Sequence, residues 1–541
     1  MKRSSVLARR RRTGLAVGAA ALVLALAGGP AIADDGELQQ PIEFLHNNLA
    51  DAPVPGAVYG TSPSARIGTA ICTTAPTSAT NVNTDCEGTG PHNETSIAVN
   101  PTDTLNMIGG ANDYQLALNP GGHVSETTLS RAHVSFDGGA TWTTYPLNAT
   151  STYQATGDPA VAFDAAGNAY YATLGFRFVG PGNAQSPDVL VSTSKDGGIN
   201  WSAARIASGS GVFSSVGDLL DKEYIAAWGD GNAIVTFGDF RLGQHGSFIS
   251  ARIYASVTHN AGATWSRPVV ISGTLDQAFV STPVVAADGR IFVSFLNTTH
   301  LLTGRDDVMV VEVNPMTGRP LGAPVIAAET VDGLTDYPIA FGRQTYQDST
   351  FRTWAAGNIT ADPTDAAHLA VVFSDMRNST LPAPPDPYSA ITNSDVVVSQ
   401  SWDSGKTWST ATAITLDGDQ FMPWGAYDGT GKLRIGFFDR SYDPANHKYG
   451  YTLATESTAG SLSFSFAQVS TQLSDPTRDN RWFASTLNSD FGHPTSFLGD
   501  YSNIAVRPDG GVVAYWTDLR ESVTFAGRTG AGEDAFFATM P

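Results

Sequence analysis

The chain has 541 residues, with 31 Lys and Arg against 51 Asp and Glu and a formal net charge of −20. This balance excludes a protein that binds duplex nucleic acid, which needs a basic footprint. It also disfavours adsorption to an anionic membrane surface. Charged residues make up only 15% of the chain while glycine numbers 55, which indicates a folded, turn-rich β protein rather than a disordered or coiled-coil one.

Residues 1–33 are predicted to be a secretory signal peptide. Six basic residues precede position 13, an apolar run covers 14–29, and Ala31-Ile32-Ala33 fits the cleavage rule for such segments. The apolar run is shorter than a membrane span requires. We therefore expect a secreted, extracellular protein without a membrane span, whose mature chain keeps 25 of the 31 basic groups against all 51 acids.

Residues 34–92 form an N-terminal segment rich in Thr and Asn. It contains the only two cysteines of the chain, Cys72 and Cys86. In an oxidising compartment we expect these two residues to form one disulfide. No histidine stands at ligand spacing from them, so a zinc site is not predicted here.

An eight-residue motif occurs four times after residue 92. Each copy follows a strand-like run and has the form of a hairpin turn, in which an Asp or Asn side chain accepts backbone N–H groups and a glycine takes a positive φ. A tryptophan then opens the next strand. The acidic or amide residue and the tryptophan of the four copies are Asp137 and Trp142, Asp196 and Trp201, Asn260 and Trp265, and Asp403 and Trp408.

A second repeat alternates with the first and occurs seven times. It consists of an apolar strand, a short Asp/Gly/Pro turn and another apolar strand, as in Pro159–Phe163 with the turn 164–167. Together the two hairpins supply four antiparallel strands, which is one propeller blade. Residues 93–541 are therefore predicted to form a single all-β propeller with seven blades, with six as the alternative. The last unit lacks its outermost strand, and we expect a strand from residues 34–92, for example 65–73, to pair with this blade and close the ring.

The eight-residue motifs match the Asp-box, and from residue 93 to 541 the chain resembles the sialidase-like (neuraminidase) β-propellers with BNR repeats. The resemblance implies that the Asp-boxes lie on the periphery, away from the active site. In that family arginines from different blades bind the substrate carboxylate, a Tyr paired with a Glu is the nucleophile, and an Asp is the acid/base group. The family's Arg-Ile-Pro motif does not occur in this chain, so no catalytic residue can be assigned by motif.

Candidate site residues follow instead from strand direction, because residues before the first strand and after the second strand of each unit meet at one end of the channel. After second strands stand Arg241, Arg377, Arg440 and Arg520, most of them in an Asp-x-Arg pattern. These arginines either converge to bind an anion bidentately or brace each blade to the next. Before first strands stand the catalytic candidates, with Tyr501 and Glu223 as a nucleophile pair and Asp158 or Asp221 as acid/base group.

The function predicted from these residues is that of an exo-glycosidase that hydrolyses a terminal acidic sugar, such as sialic acid, from glycans. A different glycosidase, a polysaccharide lyase, and a non-catalytic propeller that binds glycan or protein are the alternatives, since fold does not fix function. We expect a monomer with a glycan or glycoconjugate as its partner and no cofactor. His92 and Glu94 could supply two ligands, but two at this spacing do not make a metal site, and none is predicted.

Overall fold

The computed structural model describes residues 58–59, 70–71, 81–84, 90–118, 124–147, 153–180, 183–184, 186–211, 217–243, 248–298, 305–333, 336–340, 343–380, 386–478, 497–525 and 527–541. The predicted signal peptide, Cys72 and Cys86 lie outside these residues. All regular structure within them is β. None of the residues described forms a helix long and apolar enough to cross a membrane.

Seven antiparallel blades of four strands form a seven-bladed propeller, as the repeats predict, and three short strands extend the sheet of blade 1. The first strands of neighbouring blades contact one another around the channel, and blade 7 contacts blade 1. The strands of blades 1 to 4, from the channel outwards, are His92–Val99, Met107–Leu118, Arg131–Ser135 and Thr143–Pro146; Ala155–Phe163, Ala169–Phe176, Asp188–Ser194 and Ser202–Ala207; Gly217–Trp228, Asn232–Leu242, Phe248–Thr258 and Val269–Val270; and Ala278–Val285, Ile291–Asn297, Asp307–Val313 and Val325–Glu329.

The other three blades follow the same order, except that the outermost strand of blade 7 comes from the N-terminal segment. Their strands are Asn358–Ala361, Leu369–Asp375, Asp395–Ser401 and Thr412–Ile414; Gln420–Tyr427, Leu433–Asp439, Gly450–Glu456 and Phe464–Gln468; and Asn503–Val506, Val512–Asp518, Asp534–Met540 and Val82–Asn83. Shorter strands outside this pattern are Val58–Tyr59, Ala70–Ile71, Val124–Thr128, Phe178–Gly180, Asn183–Ala184, Ile339–Ala340, Arg343–Gln344, Ser522–Phe525 and Arg528–Ala531.

The four Asp-boxes connect the third and fourth strands of blades 1, 2, 3 and 5, at the outer edge of the disc. In the first box, Thr141 N–H donates to Asp137 Oδ1 at 2.8 Å and Trp142 Nε1 donates to the Gly139 carbonyl at 3.0 Å. Gly139 has a φ of 93°, which a residue with a Cβ rarely adopts. The side chains of these boxes therefore serve to close hairpins, as the sequence predicts.

The ring closes between blade 7 and the N-terminal segment. Val82 and Asn83 pair antiparallel with Phe537 and Phe536 of the third strand of blade 7. The strand Ala70–Ile71, which lies in the segment suggested as donor, pairs instead with the outer strand of blade 1. The closing strand thus comes from residues 34–92, but from Val82–Asn83 rather than from the example 65–73, because blade 1 also offers an open outer edge and an open edge pairs with an adjacent extended segment.

Candidate functional site

Five of the seven first strands contain a β-bulge at the same end of the channel. In each bulge one non-glycine residue has a left-handed backbone with φ between 45° and 56°. Such a conformation costs on the order of 1–3 kcal/mol and turns the side chain out of the regular strand alternation. The residues are Glu94, Asp158, Lys222, Val280 and Met422 of blades 1, 2, 3, 4 and 6.

The three charged bulge residues meet in one buried cluster. Lys222 Nζ donates to Glu94 Oε1 and to Asp158 Oδ2, both at 3.1 Å, and it also contacts Asp500 Oδ2. Arg352 holds the same Asp500 bidentately, with Nε 2.7 Å from Oδ1 and Nη2 2.5 Å from Oδ2. One lysine therefore joins blades 1, 2, 3 and 7, and the connection between blades 4 and 5 supplies the arginine.

Aromatic rings line this cluster. Lys222 Nζ lies 5.6 Å from the ring centre of Trp354 and 5.8 Å from that of Tyr501. The Arg352 guanidinium lies 4.7 Å from the ring centre of Phe497. Cations over aromatic faces are stabilised by the ring quadrupole, most strongly where water is excluded. The rings therefore help to hold both cations at the channel end.

The acidic groups of the cluster differ widely in their tendency to ionise. Burial raises the pKa of Asp221 to about 8 and raises the pKa of Glu94 and of Glu223 well above the ordinary range. Burial acts on Asp500 in the same direction, but Arg352 and then Lys222 outweigh it and lower the pKa of that carboxyl. Carboxyls with opposed pKa values in one site can divide acid and base roles.

Several carboxylate oxygens at this end of the channel are not paired within the described part of the chain. There, neither side-chain oxygen of Glu223 has a hydrogen-bond partner in another residue, and Asp158 Oδ1 and Asp221 Oδ2 also have no partner. All three residues are 1% exposed. Buried polar atoms are normally satisfied, so these oxygens are available to donors such as hydroxyl groups of a ligand.

The structure brings together the four residues that the sequence nominates for catalysis, but it gives Tyr501 a packing role. The Tyr501 hydroxyl donates to the Pro159 carbonyl at 2.9 Å, and its ring meets that of Tyr224 edge-on at 5.2 Å. Burial, followed by the charge of Glu94, raises the pKa of Tyr501 well above the ordinary range. A phenolate nucleophile is therefore disfavoured at this position.

The four nominated arginines make separate contacts away from this cluster. Arg377 binds its own Asp375 and donates to the carbonyls of Glu329 and Ala411, at the outer strands of blades 4 and 5. Arg520 does the same with Asp518, and reaches Thr471 and Asn81.

The other two arginines differ from this pair and from each other. Arg440 is buried against Asp419, Ser349 and two backbone carbonyls. Arg241 pairs with Asp218, and its side chain is 59% exposed. None of the four shares an anion-binding point with another; Arg377, Arg440 and Arg520 join their blade to neighbouring segments, whereas Arg241 pairs within its own blade.

Sequence reasoning missed three residues of the cluster. Lys222 stands between two nominated residues, and Asp500 precedes a third, so their position before a first strand was a usable signal. Arg352 belongs to the connection between blades 4 and 5 and has no counterpart in the repeats. Nothing in the sequence pattern indicated it.

Comparison with known proteins gives likeness of fold only. No family model matches the chain, and no curated protein matches it significantly. Similar solved structures include the NanB sialidase of Streptococcus pneumoniae, 8% identical over 84% of this chain and 94% of that one, with a TM-score of 0.42. A Hadza microbial sialidase is 12% identical over 82% and 74%, with a TM-score of 0.42.

A third similar structure is a polysaccharide lyase of the ulvan lyase type. It is 9% identical over 71% of this chain and 96% of that one, with a TM-score of 0.40. At these identities and scores the likenesses carry no argument about activity. The seven-bladed architecture rests on the strand pairing described above.

Proposed function

We propose that this protein is a glycan-hydrolysing enzyme whose reaction takes place at the channel end that carries Asp158 and Glu223. The observation that carries the proposal is the pair of adjacent buried carboxyls with unpaired oxygens. Glu223, whose pKa burial raises well above the ordinary range, is the proton donor to the leaving oxygen. Lys222 holds Oδ2 of Asp158, and the unpaired Oδ1 is the oxygen through which this second carboxyl takes part in the reaction. Two carboxyls in these roles suffice for glycoside hydrolysis.

The proposed substrate class is a glycan in general rather than a terminal acidic sugar. An acidic sugar needs free cations, but Lys222 and Arg352 are already engaged by carboxylates. Of the four arginines first nominated, Arg241 alone is more than half exposed. Export of the chain is part of the same proposal and rests on residues 1–33.

The test uses the purified full chain with fluorogenic glycosides of neutral, amino and acidic sugars. We expect hydrolysis of at least one, and a loss of at least about 100-fold in kcat for Glu223→Gln, the usual size of general-acid catalysis. Burial raises the pKa of Glu223 and so favours its neutral form; since Gln is neutral and close to isosteric with Glu, the unfolding midpoint should change little. Asp239→Asn is the matched control, because Asp239 is a carboxyl of the same blade whose pKa burial raises to about 6.

Two results would contradict the proposal. Full activity in Glu223→Gln would place the reaction elsewhere, and absence of hydrolysis on every glycoside would reject hydrolysis itself. The burial of the cluster, with Lys222 and Glu223 each 1% exposed, favours a non-catalytic glycan-binding propeller as the second candidate. Binding of unmodified oligosaccharides without turnover, unaffected by Glu223→Gln, would support that candidate. Release of unsaturated uronate products would support a lyase.

A further inference from the structure

We propose that blade 1 binds a first-row divalent transition-metal ion, of which Zn²⁺ is the representative, through His92, Asp113 and His133. These residues come from its first, second and third strands. One ligand atom from each lies within 4.8 Å of the other two, and all three side chains are at most 1% exposed. The site is separate from the carboxyl cluster and does not depend on the proposed function.

The strand register brings these side chains together. His92 is directly opposite Asp113 in the antiparallel pair formed by the first and second strands. His133 is opposite Gly109, on the other side of the second strand. Gly109 lacks a side chain, and a Cβ there would lie 2.9 Å from the Tyr515 ring. This glycine thus lets Tyr515 of blade 7 approach the histidine.

The hydrogen bond of His92 leaves its second nitrogen directed at Asp113. Nδ1 lies 3.0 Å from the Gly90 carbonyl, which can only accept, so Nδ1 carries a proton. Nε2 lies 3.3 Å from Asp113 Oδ1. In a neutral ring, the lone pair of Nε2 faces the negatively charged carboxylate, and the two repel each other. A cation coordinated by both atoms would remove this repulsion. A backbone carbonyl that orients the other nitrogen is the usual support of a metal-bound histidine.

His133 provides the independent sign of a ligand. Its Nδ1 lies 3.1 Å from the Tyr515 hydroxyl and 3.2 Å from Thr84 Oγ1, which fixes the ring. Its Nε2 has no hydrogen-bond partner among the residues that the structure describes, although the residue is 1% exposed. Buried imidazole nitrogens are normally satisfied. A bound metal ion would satisfy this one.

Asp113 can contribute one oxygen to the ion. Its Oδ2 is occupied by Arg131 through Nε and Nη2, while Gln115 Nε2 donates to Oδ1 at 2.7 Å. Oδ1 retains a lone pair for a monodentate bond. The guanidinium orients the carboxylate and lowers the affinity for a dication relative to a site without it.

The ligand set selects the class of metal. Two imidazoles and one carboxylate suit Zn²⁺ and its first-row neighbours, whereas Ca²⁺ and Mg²⁺ prefer oxygen ligands only. The hydroxyls that orient His133 belong to blade 7 and to the residue after its N-terminal strand. The ion would thus sit where the ring closes, and its binding should raise the melting temperature.

The experiment measures metal in the full chain, purified without a metal-affinity tag. Elemental analysis should find a first-row metal, and after chelation the apoprotein should bind one Zn²⁺ per chain in calorimetry. His133→Gln should weaken Zn²⁺ binding at least about 100-fold, since loss of mere supporting groups already costs 10–100-fold. His368→Gln is the matched control, because His368 is a buried histidine beside Asp362 whose two nitrogens both have partners.

The proposal is overturned if the chelated parent binds no Zn²⁺, or binds it as tightly after His133→Gln. It is also overturned if Zn²⁺ leaves the melting temperature of the parent unchanged. Should His133→Gln fail to fold, Co²⁺ added to the parent decides. Absorption bands of a nitrogen-ligated, low-coordinate ion support the site, and the spectrum of hydrated Co²⁺ contradicts it.

Discussion

Blades 1 to 3 and blades 4 and 6 carry the same left-handed bulge at the channel end, but with side chains of opposite chemistry. In the first group the left-handed bulge residues are charged and contact one another through Lys222. In the second group the equivalent residues are Val280 and Met422, and Met422 belongs to an apolar cluster of aromatic rings. The bulge fixes where the side chain stands, and its chemistry decides whether that side of the channel is ionic or hydrophobic.

Backbone strain and buried charge are distributed differently around the channel. Left-handed backbone occurs on both sides of the ring, so strain by itself does not mark the site. The concentration of charge does, because burying ions is unfavourable unless they are paired. Glu94, Asp158 and Asp500 around Lys222 are such an arrangement.

The largest expected effect comes from removing the central charge. Lys222→Met leaves Glu94, Asp158 and Asp500 without their shared cation, and breaking a buried pair costs about 3–5 kcal/mol. Met422→Leu changes the same bulge position in blade 6 and should cost less than about 1.5 kcal/mol, because it conserves volume. Urea unfolding of both variants at neutral pH gives the two free energies. A Lys222→Met protein as stable as the parent would contradict the ionic role assigned to this half.

The next effect tests whether Arg377, a charged residue in the hydrophobic half, serves only to join neighbouring blades. Arg377→Ala removes hydrogen bonds that join blades 4 and 5, and we expect a loss of about 1.5–3 kcal/mol, the range for bonds to charged groups. Arg241→Ala in blade 3 should cost at most about 1 kcal/mol, since its pair is solvent-exposed. Unfolding midpoints measure both, and glycan turnover should be unchanged in each. Reduced ligand binding by folded Arg377→Ala would show that this arginine does more than brace.

Per pH unit, the smallest effect is a pH dependence that belongs to the ionic half. Burial raises the pKa of Asp221 to about 8, so between pH 4 and 8 the folded state keeps a proton that the unfolded state has released. The folded state binds more protons, and the free energy of unfolding therefore falls as pH rises, by up to about 1.4 kcal/mol per pH unit. Asp221→Asn should flatten this slope in denaturant unfolding measured across that window. An identical slope in parent and variant would show that Asp221 is ionised in the folded protein.

The sequence was sufficient for the blades because each hairpin is specified locally. The hydrogen bonds of the Asp-box turns form within a few residues, as those between Asp137 and Thr141 show. Seven strand–turn–strand repeats can therefore be recognised in the sequence, and their number predicts a ring of seven blades. The position before each first strand likewise identified Asp158, Asp221 and Glu223. The closing strand was harder to identify, because two short extended segments, Ala70–Ile71 and Val82–Asn83, pair with the open edges of two different blades.

The structure does not show the predicted convergence of four arginines on one anion. Asp375 is the last residue of its strand and Arg377 follows in a turn, where its N–H donates to Asp375 Oδ1 at 3.0 Å and its guanidinium folds back onto the same carboxylate. The Asp-x-Arg spacing is visible in the sequence and favoured a bracing role. The role of Arg352 could not be predicted, because it contacts Asp500 across 148 residues from a connection that is not part of a repeat. The site depends on this long-range contact, for which pattern carries no information.

The closure of the ring has a consequence for biosynthesis. Thr84 donates to the carbonyl of Ala535, 451 residues later, so the outer strand of blade 7 is synthesised long before its partner strand. Contacts of such separation slow folding, because chain entropy is lost before they form. Until Asp534–Met540 has been synthesised, blades 1 to 6 can assemble only as an open arc with unpaired edges. We therefore expect the nascent chain to depend on chaperones, which would shield those edges until both ends of the chain can meet.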